Sequence, residues 1–589
     1  LQPVDFTTLT ALCGELRTTW LPARLEQVYQ RDRFTLCLAL RTVNQRSWLT
    51  ISWHPQAARL SISSPPPRTP DTFTFSQQLI HQLGGLALVA IEPVSPWERA
   101  IDLQFSRRPG DPALWHLYVE IMGKYSNVIL ANRDNLIVTA AHQVSANQSS
   151  VRPIQTGQPY ELPPALTDPA PTLSETPESW RSRVSLIPGA IRRNLIKSYR
   201  GLSSALLLSM LDTADIEPDH LTETLTDAEW QRLFTCWQTW LKTLENGDFQ
   251  PGWTADGYTV MGWSLTQRTD TVEEVVDRYY TDHLNRQEFS QLRHQIRQKL
   301  DNVLSKLRVK AETFSSRLDQ SDRADQSKQQ ADLLMANLHE WKPGMKAIEL
   351  LDFETEKPVT IPLNPEKNAV QNAQALYKRH QKLRRTRAAT EPLLNAVQDE
   401  IDYLEQVEAA IEQFNDYQTS DDLEALEEIK DELIQQGYME GSDYRKEDRK
   451  EVSKDDLASH PYRFKTPGGF DLLVGRNNRQ NDHLTFREAN DYDLWFHTQE
   501  IPGSHVLLRL EPGAVADDAD LQFVADMAAY YSRSRQSEQV PVVYTEPRHV
   551  YKPKGAKPGI AIYKQERIIW GQPQRASRYL AQPTSSPTP

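Results

Sequence analysis

The sequence predicts a multidomain α+β protein. Three observations predict it. The first 160 residues alternate in short strand-like segments, two long stretches near 289–318 and 394–414 carry heptad spacing, and a final mixed region spans 462–570. A length of 589 residues fits roughly three to five domains.

The first element is a helix over Phe6 to Trp20, where apolar residues recur at helical spacing. Short alternating runs follow at 25–28, 35–40, 47–53 and 59–62, the mark of an antiparallel sheet. The prolines at 65–67 break the chain. Phe75 to Leu83 reads as a helix closed by Gly84 and Gly85, and five more strand-like runs follow at 86–91, 100–105, 115–121, 127–131 and 136–140. The Pro/Thr/Ser-rich residues 162–177 read as a linker or surface loop. Helical patterns resume from Trp180 to Leu244. Within them Ile191 to Ser198, a turn at 199–203 and Ala205 to Leu211 form helix, tight turn, helix, with Gly201 supplying the left-handed backbone. Such a turn offers N–H groups to a phosphate or is a plain helical corner, and the sequence leaves both open.

Phe289, Leu292, Ile296, Leu300, Val303, Leu307, Ala311, Phe314 and Leu318 recur by threes and fours, as do Leu394, Val397, Ile401, Leu404, Val407, Ile411 and Phe414. Between the seams, Pro343-Gly344, Pro358 and Pro362 must interrupt helix. The pattern predicts an antiparallel coiled-coil arm of about 60 residues per helix, roughly 90 Å long, with a kink at Pro392 near the start of the second helix. A helix over 421–436, capped by Ser420 and stopped at Gly437, comes next. Gly441 to Asp456 reads as a linker, Tyr462 to Trp570 as an α/β domain, and the tail from Gln572 as disordered.

Composition narrows the function. No run of 18 apolar residues appears, so no membrane span is expected. Residues 1–21 lack the basic start and apolar core of a secretory signal, and a cytoplasmic protein is expected. Cys13, Cys37 and Cys236 are sparse and unpaired in spacing, which argues against a disulfide framework and against a metal site. The net charge of −13 is segregated. Asp399 to Glu440 holds fifteen acidic residues and one basic residue, Lys430, so basic patches elsewhere carry any contact with nucleic acid.

The densest candidate constellation combines residues 473–481 (Leu-Val-Gly-Arg-Asn-Asn-Arg-Gln-Asn), 491–497 (Asp-Tyr-Asp-Leu-Trp-Phe-His) and 501–506 (Ile-Pro-Gly-Ser-His-Val). Its arginines and amides suit phosphate and sugar contacts. Trp495 and Phe496 offer stacking faces or are simply core. Arg548 to Arg567 contains six basic residues against Glu566, with Tyr551 and Tyr563 interleaved, which suits an RNA backbone or a solvated loop. Lys378, Arg379, Lys382, Arg384, Arg385 and Arg387 have no acidic neighbour between them, and 378, 382 and 385 share a helix face. Asp493, His497, Ser504 and His505 invite a hydrolase reading. The sequence has no G-x-S-x-G elbow, P-loop or H-E-x-x-H, and no independent enzymatic activity is expected.

Several of these segments carry a resemblance to the NFACT family. Residues 474–481, 493–497, 502–506 and 555–559 resemble its NFACT-R module. Residues 120–129 (Glu-Ile-Met-Gly-Lys-Tyr-Ser-Asn-Val-Ile), with Arg152, Gly157, Tyr160 and Pro163, resemble the NFACT-N signature. Asn364-Pro365, Asn368-Ala369 and Tyr377 resemble the start of the family's second coiled-coil helix. The match runs over about residues 1–571. The resemblance implies an NFACT-N domain (1–175) similar to the N-terminal domain of MutM-type glycosylases and a helix-hairpin-helix domain (176–275). It further implies a coiled-coil arm (276–440), an NFACT-R domain (441–571) and, beyond it, the tail (572–589).

It also implies a role. Family members in bacteria bind large ribosomal subunits obstructed by peptidyl-tRNA and recruit alanyl-tRNA for template-free alanine tailing of the nascent chain. The ribosome performs the peptidyl transfer, no cofactor is needed, and a monomer on the ribosome is expected. By resemblance, Glu98, Arg99, Glu120, Ile121 and Met122 would contact tRNA. Lys378, Lys382, Arg385, Arg476, Arg479, His497, Ser504, His505, Lys552 and Lys554 would contact rRNA or the ribosome. Two departures fall in the tRNA module. The family's Asp-Arg pair is Glu98-Arg99 here, and its Leu-Arg-Lys-x-Leu helix is Leu-Ile-His-Gln-Leu at 79–83. The rival readings are a surface fibronectin-binding adhesin, for which no secretion signal or disulfides argue, and a nucleic-acid-binding protein without tailing activity. A glycosylase-like repair role lacks the N-terminal proline nucleophile, since Pro3 follows Leu1 and Gln2.

Overall fold

The structure is a computed structural model. It describes the chain except residues 67–70, 146, 150–151, 165–166, 322, 353–356, 415, 441–458 and 582–589. The expected linker at 441–456 and the last eight residues of the expected tail lie outside the described residues. The chain divides into two compact units, Leu1–Leu284 and Asn285–Pro589. Among the described residues no helix is long and apolar enough to cross a membrane.

The first unit opens with α1 (Phe6–Trp20), whose N-terminus is capped by Asp5 accepting from the Thr8 N–H at 2.8 Å. Its Leu9, Leu12, Leu16 and Trp20 form the buried stripe. Nine strands then build one antiparallel sheet: β1 (Ala23–Asp32), β2 (Thr35–Arg41), β3 (Arg46–Ser52), β4 (Arg59–Ser63), β5 (Ala87–Pro93), β6 (Ala100–Ser106), β7 (Trp115–Glu120), β8 (Asn127–Asn132) and β9 (Ile137–Ala140). Their order is β4-β3-β2-β1-β5-β6-β7-β8-β9. Only β1 and β5 are neighbours that are not consecutive, and α2 (Thr74–Leu83) belongs to that crossover.

Four helices follow: α3 (Pro177–Val184), α4 (Ile191–Ser198), α5 (Ser204–Thr213) and α6 (Asp227–Asn246). Trp180, Trp237 and Trp240 are fully buried among them. A capping box between Thr226 and Glu229 starts α6, and left-handed Gly247 ends it. Three short strands, β10 (Gly252–Trp253), β11 (Tyr258–Thr259) and β12 (Gln267–Arg268), lead into the 50-residue α7 (Val272–Ser321), about 75 Å long. The Glu15 carboxylate accepts from the N–H groups of Val272 and Glu273 at 2.7 and 3.0 Å and so caps α7.

In the second unit α7 is followed by α8 (Arg323–Ala336), the hairpin β13 (Ala347–Leu351) and β14 (Pro358–Pro362), the 45-residue α9 (Ala369–Gln413) and α10 (Ser420–Gln435). Phe289, Leu292, Ile296, Leu300 and Leu304 of α7 share one core with Val397, Ile401, Leu404, Val407 and Ile411 of α9 and Leu423, Leu426, Ile429 and Leu433 of α10. The insertion read as turn-rich is a hairpin. Ile348, Leu350 and Ile361 pack with Leu334 and Ala373 in a small separate core. α9 begins about seven turns before its expected apolar seam. Pro392 therefore lies mid-helix on an exposed face, not near the start, and the helix continues through it.

The C-terminal region is a six-stranded antiparallel sheet of β15 (Tyr462–Lys465), β16 (Asp471–Val474), β17 (Leu494–Thr498), β18 (Val506–Leu508), β19 (Val540–Thr545) and, after the small hairpin β20 (Val550–Tyr551) and β21 (Ile562–Tyr563), β22 (Arg567–Gly571). The order is β15-β16-β18-β17-β19-β22. A short helix, α11 (Asn478–His483), precedes β17. One face of the sheet packs Leu472, Phe496, Val506 and Val542 against Val524 and Met527 of α12 (Asp518–Tyr530). The expectation of disorder from 572 is corrected for Pro573–Ala581, which form α13. Ala576 is fully buried, and Arg575 pairs with buried Asp526 at 2.9 Å, so this segment gains enough apolar and ionic contact to offset its ordering.

Candidate nucleic-acid interface

In the first unit, the segments expected to meet tRNA come together at one end of the nine-stranded sheet. Ala100 pairs with Glu120 across β6 and β7, and the Ile121 N–H donates to the Arg99 carbonyl at 2.8 Å. Trp97, just before them, has a left-handed backbone (φ 65°) and stacks on Phe6 at 4.7 Å. Gly201, in the turn between α4 and α5, lies against the same ring. A Cβ there would meet Trp97 Cε3 at 2.5 Å, and φ is +81°. Ser203 donates to Asp5 at 2.5 Å. The helix–turn–helix and the Glu98–Arg99 loop are thus one packed assembly.

Within it the side chains differ in access. Arg99 is half-buried, with Nη1 donating to the Val4 carbonyl at 3.5 Å, and Glu98 is buried. Glu120 is 2 % exposed, held by Arg152 through two bonds of 2.9 and 2.5 Å and by the Tyr160 hydroxyl at 2.9 Å. Ile121 is core. Glu120 and Ile121, expected at tRNA, are both held internally next to the turn that follows. Met122 is half-buried. Lys124 and Tyr125 in the next turn are exposed, with the ammonium 4.9 Å from the ring centroid. Sequence reasoning missed this pair, although it lay within the quoted motif. It also missed that Arg152 and Tyr160 of the same signature serve Glu120.

In the second unit the residues expected to face rRNA divide into two groups. Arg476 is buried. Its guanidinium bonds Asp422 at 2.8 Å, approaches Asp421 at 3.6 Å and lies 4.0 Å from the Tyr462 ring centroid. Asn477 and Asn478 donate to Glu428 and Glu432 of α10 at 2.6 and 3.1 Å. Burial raises the pKa of Glu432. Ser504 donates to the Gly475 carbonyl at 2.6 Å and accepts from Gln413 of α9 at 2.9 Å. His505 Nδ1 lies 2.7 Å from Thr485 Oγ1, which also accepts from the Trp495 indole at 3.0 Å. His497 Nε2 lies 3.3 Å from the Gly503 carbonyl. Burial pushes the pKa of His497 down to about 4 and that of His505 to about 3, the latter also through the neighbouring His497.

Arg476, His497, Ser504 and His505, expected at rRNA, are thus all engaged inside the protein. The two imidazoles are neutral at physiological pH, and the other two side chains fasten α9 and α10 to the sheet. Asp493 is equally internal, bonded to Arg509 and the Leu510 N–H at 3.3 and 3.0 Å.

The remaining group faces outward. Arg479 reaches Gln435 at 2.9 Å from a partly exposed position. Lys552 pairs with Asp482, and Lys554 is exposed beside left-handed Gly555. Gly559, also left-handed, brings its N–H to Asp482 at 3.1 Å, and a Cβ there would meet Asn478 Oδ1 at 2.4 Å. On α9, Lys378, Lys382 and Arg385 are exposed and form no ion pair among the described residues.

Residues 5–452 match the NFACT N-terminal and middle domains, and residues 460–564 match the NFACT protein RNA binding domain. The chain is 28 % identical over 573 residues to the Rqc2 homolog RqcH of Bacillus subtilis, covering 95 % of this chain and 96 % of that protein. It is 28 % identical over 574 residues to the Rqc2 homolog RqcH of Streptococcus suis, with the same two coverages of 95 % and 96 %. Among solved structures, the C-terminal part of the fibronectin/fibrinogen-binding protein from Streptococcus suis is similar at 28 % identity and a TM-score of 0.36, covering 48 % of this chain and 95 % of that one. With family matches that together take in nearly the whole chain in the expected order, the protein belongs to the NFACT family.

Proposed function

We propose that this chain is a ribosome-associated quality control factor. It binds large ribosomal subunits obstructed by peptidyl-tRNA and recruits alanyl-tRNA for template-free alanine tailing, and the ribosome supplies the peptidyl transfer. The observation that carries this reading is similarity to the Rqc2 homologs over 95 % of the chain, with an RNA binding domain at 460–564. In this reading the first unit holds a MutM-like NFACT-N domain and a helix-hairpin-helix, α7 and α9 form a coiled-coil arm, and the chain works in the cytoplasm as a monomer. Arg99, Met122 and the Lys124–Tyr125 turn face tRNA, while Lys378, Lys382, Arg385, Arg479, Lys552 and Lys554 face the ribosome.

The discriminating experiment is tRNA recovery. Arg99→Ala should still co-purify with large subunits, since the outward lysines remain, yet lose associated alanyl-tRNA and tailing. Glu98→Asp, which restores the family's usual pair, should match or exceed wild type. Undiminished alanyl-tRNA with Arg99→Ala sinks the tRNA assignment.

A further inference from the structure

Outside the residues matched as RNA binding, α7 carries a basic groove of about 760 Å³. Arg286, Arg293, His294 and Arg297 line one wall, all on a single helical stripe that spans about 16 Å of axis. The floor is aromatic. Phe289 and Tyr417 meet edge to face at 6.0 Å, and Asn285 fixes the Tyr417 hydroxyl at 3.2 Å. Two carboxylates, Asp301 and Asp416, stand at the groove against three guanidinium groups. Arg286 and Arg297 are exposed, whereas Arg293 is half-buried between them. Burial and then the Arg297 charge lower its pKa, against the opposing charges of Asp416 and Glu412.

We propose that this groove is a further RNA site, which takes the phosphodiester backbone of an RNA strand along α7. This rests on the reading above that the chain works on RNA, and it adds a contact surface apart from the NFACT-R module, the α9 cations and the Arg99 loop. Guanidinium forks pair with phosphate and carboxylate alike, and the RNA reading of the chain, with cations repeated along one helix stripe, favours a continuous phosphodiester backbone as the occupant.

The test uses the full chain and a fluorescein-labelled 20-nucleotide oligouridine, with anisotropy read across a salt series. Arg286→Gln/Arg297→Gln, both at exposed positions, should weaken binding roughly tenfold at low salt and reduce the log–log salt slope by about 1.4, or ~0.7 for each phosphate no longer neutralised. Asp416→Asn should tighten binding, a change of opposite sign that a merely structural groove does not produce. Lys299→Gln/Arg317→Gln, exposed on the same helix outside the groove, should leave affinity unchanged. Unchanged affinity and slope in Arg286→Gln/Arg297→Gln overturns the proposal, as does a polyglutamate peptide that displaces the RNA at equal charge. No ribosome or tRNA enters this assay, so its failure leaves the Arg99→Ala result to judge the quality-control reading separately.

Discussion

Arg476 and Arg479 are one helical turn apart in sequence and do different jobs. The first pairs with buried Asp422 beside half-buried Asp421, and the second reaches a glutamine at the surface. Removing one partner of a buried pair strands the other, at a cost of about 3–5 kcal/mol, whereas a surface contact is worth ~0–1 kcal/mol. Arg476→Ala should therefore lower the melting temperature markedly, while Arg479→Ala leaves it nearly unchanged. Equal melting curves for the two variants would mark Arg476 as free to meet RNA.

A titratable residue makes a second distinction. Burial, then the charge of Glu15, raises the Glu273 pKa to about 7. The unfolded carboxyl ionises near ~4.3. Between those values the folded state holds the extra proton, so this site's contribution to stability is greatest below the unfolded value and is lost as pH rises through about 7. Glu273→Gln should raise stability at pH 8 by on the order of 1–3 kcal/mol and leave it unchanged at about pH 4. A pH-independent difference in urea melts would refute this.

The turn between α4 and α5 is the element that ties helices to the Glu98–Arg99 loop, through Trp97. Ala at Gly201 must hold φ +81° and place a Cβ 2.5 Å from Trp97. Left-handed backbone alone costs ~1–2 kcal/mol, and the ring must also move. Gly201→Ala should destabilise the protein by at least that much in denaturant melts and should reduce tRNA recovery even where the fold survives. Full stability would mean that the turn bears little on the Glu98–Arg99 loop. Gly201 was legible in the sequence because a tight turn between two apolar helical runs admits few residues. The strands of the large sheet and the seam of α7 and α9 were legible for a related reason: their periods of about 2 and 3.5 repeat often enough to outweigh local noise. The hairpin at 347–362 was not, since Pro358 and Pro362 sit at the ends of β14 and mask it. Helix α13 was hidden because the stretch after Gln572 reads as polar tail. Its partners lie some fifty residues away: Asp526 bonds Arg575 and Tyr579, and Phe523 packs on the Tyr579 ring at 4.8 Å. The site was legible as a set of segments but not as a set of exposed side chains. Whether Glu120, Arg476 or His505 faces water depends on Arg152, Asp422 and Thr485, and no local pattern encodes those distant partners.

Across the whole molecule, a net charge of −13 opposes approach to RNA, so binding must depend on how the cations are grouped. The acidic residues of α10 illustrate the grouping: Asp422, Glu428 and Glu432 are spent on Arg476, Asn477 and Asn478, which removes them from the surface seen by a polyanion. Lys378, Lys382 and Arg385 on α9 stay exposed with no ion pair among the described residues. Each phosphate contact made by such a cation releases condensed counterions, and affinity for large subunits should fall steeply with salt. Replacing the three together by Gln keeps helix propensity and so leaves α9 intact. The log–log slope should then flatten by about 2–3, while affinity at high salt changes little. Co-sedimentation with large subunits across a salt series measures both. A slope identical to wild type would remove this helix face from the ribosome-binding surface and leave Arg479, Lys552 and Lys554 to carry it.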